Sequence, residues 1–204
     1  MSSGSSLVDD RADFEAKLTD LRGRCLTAVD YWDVHNFGPE SADWDYGDWH
    51  HAVMGVQLST DQGPVTLTWT AAFYPYGVEV FHDPITDHLV LGEDGPQRVG
   101  PNDDHLGVWT PYLGSPIRGG AFHWERLEIG PSRRADGTIV GAAYAVDVPT
   151  ALRVDFQAGA VWFVAAIPQF PQIQRVFIPG DEIMVVFAAD KMRDIGFNDP
   201  TFLH

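Results

Sequence analysis

The sequence predicts an α+β fold, mainly antiparallel β, with about ten strands set between an N-terminal helix and a short C-terminal helix. Three observations carry this. An apolar stripe at helical spacing opens the chain: Phe14, Leu18, Leu21 and Cys25 fall at i, i+4, i+7 and i+11. Beyond Cys25 the period changes to two, interrupted by Gly-, Pro- and Asp-bearing turns. The chain closes on Ala189–Ile195, followed by Gly196 at the position where a left-handed residue ends a helix. With 204 residues, 45% hydrophobic and 12% aromatic, the chain can bury enough surface to offset its ordering entropy.

Residues 1–8 read as a flexible leader. Met1–Ser6 (MSSGSS) has no apolar core of a signal peptide. Asp9 or Asp10 can then cap the first helix. Leu26–Val34 has strand character. His51–Ser59 and Pro64–Ala72 flank the turn Thr60-Asp61-Gln62-Gly63 and predict a hairpin, with Val65, Leu67 and Trp69 on one face and Thr66, Thr68 and Thr70 on the other. Gly77–His82 reads as a further strand, and His88–Leu91 as a short one within the loop-rich stretch 83–104.

Trp109–Gly120 is turn-rich and links two halves. Ala121–Ile129 resumes alternation, with a bulge expected near Arg126. Thr138–Val148 is a strand. Ala151–Phe156 and Ala160–Ala166 form a hairpin around Gln157-Ala158-Gly159. Gln172–Ile178 and Glu182–Phe187 are expected to pair around Pro179-Gly180-Asp181. Trp69, Trp124 and Trp162 are the expected core tryptophans. One domain over 9–204 is expected, with similar halves at 26–108 and 120–196. Val56–Phe81 lies over Leu152–Phe177 at an offset of 96, matching Gly63 to Gly159 and Pro75 to Pro171. Shared turn geometry gives such a match without duplication.

The formal net charge is −16, from 13 Lys+Arg against 29 Asp+Glu. It argues against nucleic acid, which needs a positive surface, and against anionic membranes. From Cys25 to Gln97 there is no Lys or Arg, while twelve carboxylates lie there. A single-sign field suits the steering of a basic partner; acidity common to a whole proteome gives the same count.

No apolar run approaches the ~18 residues of a membrane span. The lone Cys25 excludes an intrachain disulfide and a CxxC zinc site, and reads as a small core residue. With no export signal, a cytoplasmic location is the default.

The most unusual segment is Asp43-Trp44-Asp45-Tyr46-Gly47-Asp48-Trp49-His50-His51. Exposed aromatics give rigid contact area and carboxylates pair with Lys or Arg, so Asp43, Trp44, Asp45, Asp48, Trp49 and His50 are the candidate binding residues. The alternative is that the two tryptophans anchor a loop on the core and leave the carboxylates solvated. His50 and His51 are adjacent, so on extended chain they face opposite ways and cannot share an ion. No EF-hand or HExxH spacing occurs, and no metal or cofactor is expected. Leu113-Gly114-Ser115-Pro116 is not a nucleophile elbow, and no phosphate-binding glycine motif is present.

Val161-Trp162-Phe163-Val164-Ala165-Ala166 and Gly180-Asp181-Glu182-Ile183-Met184-Val185-Val186-Phe187 give the C-terminal half a texture of its own. Over Phe122–Ile195 it resembles uncharacterised acidic actinobacterial-type proteins and the immunity proteins of polymorphic toxin systems. The resemblance rests on strand texture and implies an inhibitor of a partner toxin, with no catalytic residue. The leading expectation is therefore an acidic module for a basic protein partner. Two alternatives stand beside it. One is a small-molecule or carbohydrate-active enzyme using His50 or His51 with carboxylates. The other is a structural or ligand-binding β-rich protein with a cleft lined by Trp32, Trp109 and Tyr112.

Overall fold

A computed structural model describes residues 7–34, 44–70, 76–93, 95–101, 107–169 and 175–204. Helix α1 spans Leu7–Thr19. It starts ahead of Asp9 and ends before Leu21, so the apolar stripe outruns the helix. Leu21 is still buried, delivered by the turn that follows. Cys25 is only half-buried and bridges to Pro116, which corrects its reading as a core residue.

Five strands form the first sheet: β1 (Leu26–Asp33), β3 (Gly55–Thr60), β4 (Gly63–Thr70), β5 (Gly77–Phe81) and β6 (Gln97–Gly100). Their order is β5-β4-β3-β1-β6. Five more form the second: β2 (Trp49–His51), β7 (Ile117–Ile129), β10 (Tyr144–Phe156), β11 (Gly159–Ala165) and β14 (Ile183–Val186), in the order β2-β14-β11-β10-β7. Among the described residues two small ribbons complete the β-structure: β8 (Ser132–Arg133) with β9 (Ile139–Gly141), and β12 (Ile167–Pro168) with β13 (Val176–Phe177). Every ladder is antiparallel. The class is α+β, mainly antiparallel β, as the alternation predicts.

The sheets pack face to face. Val29, Val56, Leu58, Leu67 and Val80 of the first meet Leu152, Val154, Val161, Phe163 and Val185 of the second in one apolar cluster. α1 lies against β5 and β7, with Phe14 edge-on to Phe122 and Trp124 at 5.4 and 5.5 Å between ring centroids. The outer face of the second sheet is covered too. Ala151, Trp162, Val164, Met184 and Val186 pack under α2 (Ala189–Asp194) and α3 (Pro200–Leu203). Burial on both faces is why Val161–Ala166 and Ile183–Val186 are continuous apolar runs without alternation. The Arg153 guanidinium pairs with Asp155 and donates to the carbonyls of Thr201, Phe202 and His204, fastening the chain end. Gly196, at φ +110, follows α2 as the sequence requires.

The two central hairpins share a register. Val56, Leu58 and Thr60 oppose Leu67, Val65 and Gly63; Leu152, Val154 and Phe156 oppose Phe163, Val161 and Gly159. The neighbouring strands share an irregularity as well. One residue, Thr27, is extra where Leu26 and Ala28 face Thr60 and Ser59, and Arg118 is extra where Ile117 and Gly119 face Phe156 and Asp155.

Several expectations are corrected. His88–Leu91 is not a strand; a 3-10 turn at Ile85–Asp87 and β6 occupy that stretch. Thr138–Val148 and Ala151–Phe156 are not separate, because β10 runs through Pro149. No bulge occurs at Arg126, which sits in register with Asp147; the irregularity leaves Thr150 unmatched between Pro149 and Ala151. Ile183–Val186 does not pair with the preceding segment: β13 pairs with β12, and β14 with β11. Trp69 and Trp124 are half-buried. The fully buried tryptophans are Trp49 and Trp109, together with the expected and nearly enclosed Trp162. Trp109 rides on a 3-10 turn, Gly107–Tyr112, and plugs the space between the sheets.

Candidate functional site

The segment 44–51 folds as a tight hairpin of its own. Tyr46 N–H donates to the Trp49 carbonyl and His51 N–H to the Trp44 carbonyl. Asp45 Oδ1 accepts from Gly47 N–H at 2.8 Å, and Gly47 takes φ +87, a conformation that costs glycine little. The returning limb is β2, which docks on the edge of the second sheet with Trp49, His50 and His51 opposite Val186, Val185 and Met184. The sequence shows this segment as a loop because three residues are too few for alternation to register.

Strand geometry sends the two histidines apart. His51 Nε2 lies 2.8 Å from Glu182 Oε2, beside Trp49, whose ring stacks on Tyr46 at 4.4 Å. His50 turns inward between the sheets. Tyr31 Oη lies 2.7 Å from its Nδ1, and Trp109 Nε1 donates to that same Oη at 2.5 Å. An indole N–H can only donate, so the phenol accepts from Trp109. Were it to accept from His50 as well, its own proton would be left unpaired in the core, so it donates to His50 Nδ1. Nδ1 is therefore bare, and neutral His50 carries its proton on Nε2, which faces Asp45 Oδ1 at 3.4 Å. Hydrogen bonds thus join His50, Tyr31 and Trp109, and the Nε2 end of His50 faces the exposed Asp45 carboxylate without a hydrogen bond to it.

Burial pushes the His50 pKa down to about 4, against a smaller upward pull from the Asp45 charge. Burial likewise pushes Tyr31 well up, opposed by the Trp109 bond. Both groups are neutral at pH 7. Aromatic rings seal them: Trp44, Tyr31 and Phe187 stand edge-on to His50 at 5.1, 5.6 and 4.8 Å. Trp44 fits only because residue 100 is glycine. A Cβ on Gly100 would meet the indole at 2.6 Å.

The six expected binding residues therefore divide. Asp45 and Asp48 are exposed, Trp44 is half-buried, and Trp49 and His50 are inside. Asp43 lies outside the described residues. The tryptophans anchor the hairpin and present the carboxylates. Sequence reasoning missed Tyr31, Trp109 as a donor, and Glu182. A tyrosine at an inward position of β1 signals that its hydroxyl needs a partner, but not which one. His50 and His51 do not converge on one pocket, and Trp109 and Tyr112 fill the core instead of lining a cleft. Among the described residues no group of three or more His, Cys, Asp or Glu could hold a metal ion, and no helix is long and apolar enough to cross a membrane.

The acidic stretch draws two cations from outside itself: Lys17 pairs with Glu79 at 2.9 Å, and Arg98 with Asp30. Asp33 is buried. Asp45, Asp48, Asp61, Asp83, Asp87 and Glu93 remain exposed. No family model matches this chain, and no curated protein or solved structure matches it either.

Proposed function

We propose that the protein is an acidic binding module for a basic protein partner, an immunity-like inhibitor of a partner toxin. The observation that carries this reading is the one-sign stretch from Cys25 to Gln97. After its two ion pairs with Lys17 and Arg98 it still leaves six described carboxylates facing solvent, with no Lys or Arg of its own among them. Asp45 and Asp48 sit on a hairpin pinned by Trp44, Trp49 and His50, so their charges stand on a rigid support. Rigid placement lowers the ordering cost of association, and a concentrated negative field speeds encounter with a positive surface. The burial of His50 disfavours the enzymatic alternative at this site.

The test is capture on the immobilised chain from extract of the source cell at low salt, followed by elution with a salt step and mass spectrometry. The expected result is a basic protein that is lost when Asp45→Asn and Asp48→Asn are combined. Capture unchanged by those substitutions, or only of acidic proteins, overturns the reading.

A further inference from the structure

A groove of about 510 Å³ opens where β7 passes beneath the C-terminal helices. At its base the β7–β10 register breaks: Pro149 faces Trp124, Ala151 faces His123, and Thr150 has no opposite number. Such irregularities re-aim side chains. Here Thr150, fully buried, brings its Oγ1 to 3.1 Å from His123 Nδ1 and 3.4 Å from the His123 carbonyl. A hydroxyl has one proton. Both contacts are made together only if Nδ1–H donates to Oγ1 and the hydroxyl donates to the carbonyl. Nε2 is then a bare acceptor, and no group among the described residues bonds it. Burial holds the His123 pKa below its ordinary value, so the ring is neutral at pH 7.

Glu125 lies two residues on, on the same strand face, roughly 7 Å along the chain. It is exposed and makes no ion pair among the described residues. Asp199, the cap of α3, adds negative charge near His123. The guanidinium of Arg126, which also borders the groove, is turned toward Asp147 and Glu128 at 3.6 and 3.9 Å. Ile178, Ile195 and Phe197 also line it, with the Phe197 ring edge-on to His123 at 4.9 Å. The groove thus sets acceptors and negative charge directly beside apolar side chains. Its volume falls within the roughly 300–1,000 Å³ of small-molecule sites.

We propose that this groove binds a small organic ammonium ligand, the ammonium donating to His123 Nε2 and the Glu125 carboxylate while its apolar body lies on Ile178, Ile195 and Phe197. The site is separate from the 44–51 hairpin and does not rest on the binding-module reading.

The probe is 2-phenylethylammonium, titrated into the full chain by calorimetry, with the His123 ring resonances followed by NMR. The expected result is saturable binding with a His123 shift, and Glu125→Gln weakening it about tenfold, or ~1.4 kcal/mol. Neither 2-phenylethanol nor 3-phenylpropionate should match the amine. Glu125 is exposed, so Glu125→Gln keeps the fold, and a thermal melt confirms it. No saturable signal up to about 10 mM amine, a range that reaches weak millimolar affinity, overturns the proposal. So does equal binding of the carboxylate, or indifference to Glu125→Gln.

Discussion

Tyr31→Phe removes a single oxygen from the fully buried line Trp109–Tyr31–His50 and leaves the ring in place. Two groups lose their partners. Trp109 Nε1–H loses its acceptor at 2.5 Å, and His50 Nδ1 loses its donor at 2.7 Å. The surrounding rings of Trp44, Phe187 and Tyr112 leave little room for rescue by water. An orphaned buried polar group costs about 1–3 kcal/mol, so the pair predicts a loss of about 2–5 kcal/mol. For a chain of this size that is a fall in Tm on the order of 5–15 °C. Urea unfolding at pH 7 measures the free energy directly. A second readout is specific to the line: long-range ¹⁵N–¹H correlation of the imidazoles should show wild-type His50 bare at Nδ1 and protonated at Nε2. A loss below about 0.5 kcal/mol, or a wild-type His50 protonated at Nδ1, would refute the reasoning.

Three further outcomes follow. The folded pKa of His50 is pushed down to about 4 from 6.5, so the unfolded chain binds more protons between those values. The stability contribution is whole above about pH 6.5 and is lost as pH falls through 4, by at most ~3 kcal/mol; urea midpoints for the wild type and His50→Asn across pH 7 to 4 should converge on the acid side. Gly100→Ala should force Trp44 off Tyr31 and His50 at a cost of about 1–3 kcal/mol, seen as lower thermal stability with a red-shifted tryptophan emission. Arg153→Ala frees Asp155 and the carbonyls of Thr201, Phe202 and His204, and should cost about 2–4 kcal/mol, with faster amide exchange in α3 as its marker.

The first hairpin was legible because its alternation and the Gly63 turn say the same thing twice. In the second sheet the β10–β11 hairpin was legible from its Gly159 turn and β7 from its alternation. β14 is buried on both faces, which erases the period of two, so Ile183–Val186 gave no sign that its neighbours are β11 and β2. Trp49 and Trp109 sit on segments too short to carry a period, and their burial is decided by tertiary contact alone. The same holds for the candidate site. Asp45 and Asp48 announced themselves by composition. The bond from Tyr31 to His50 joins β1 to a strand of the other sheet, and nothing local to either residue encodes that meeting. The charge on 25–97 could be counted, but the two carboxylates neutralised by Lys17 and Arg98 could not be foreseen, since both cations lie outside the stretch.

The claim that the acidic surface exists to capture a basic partner is tested most directly by association kinetics. The captured partner is held on a sensor surface, and rates are measured from about 50 to 500 mM salt for the wild type and for Asp45→Asn with Asp48→Asn. The account predicts an on-rate that falls at least about tenfold over that range and is already lowered by the substitutions, with a smaller change in the off-rate. An on-rate indifferent to both salt and the two aspartates would contradict it.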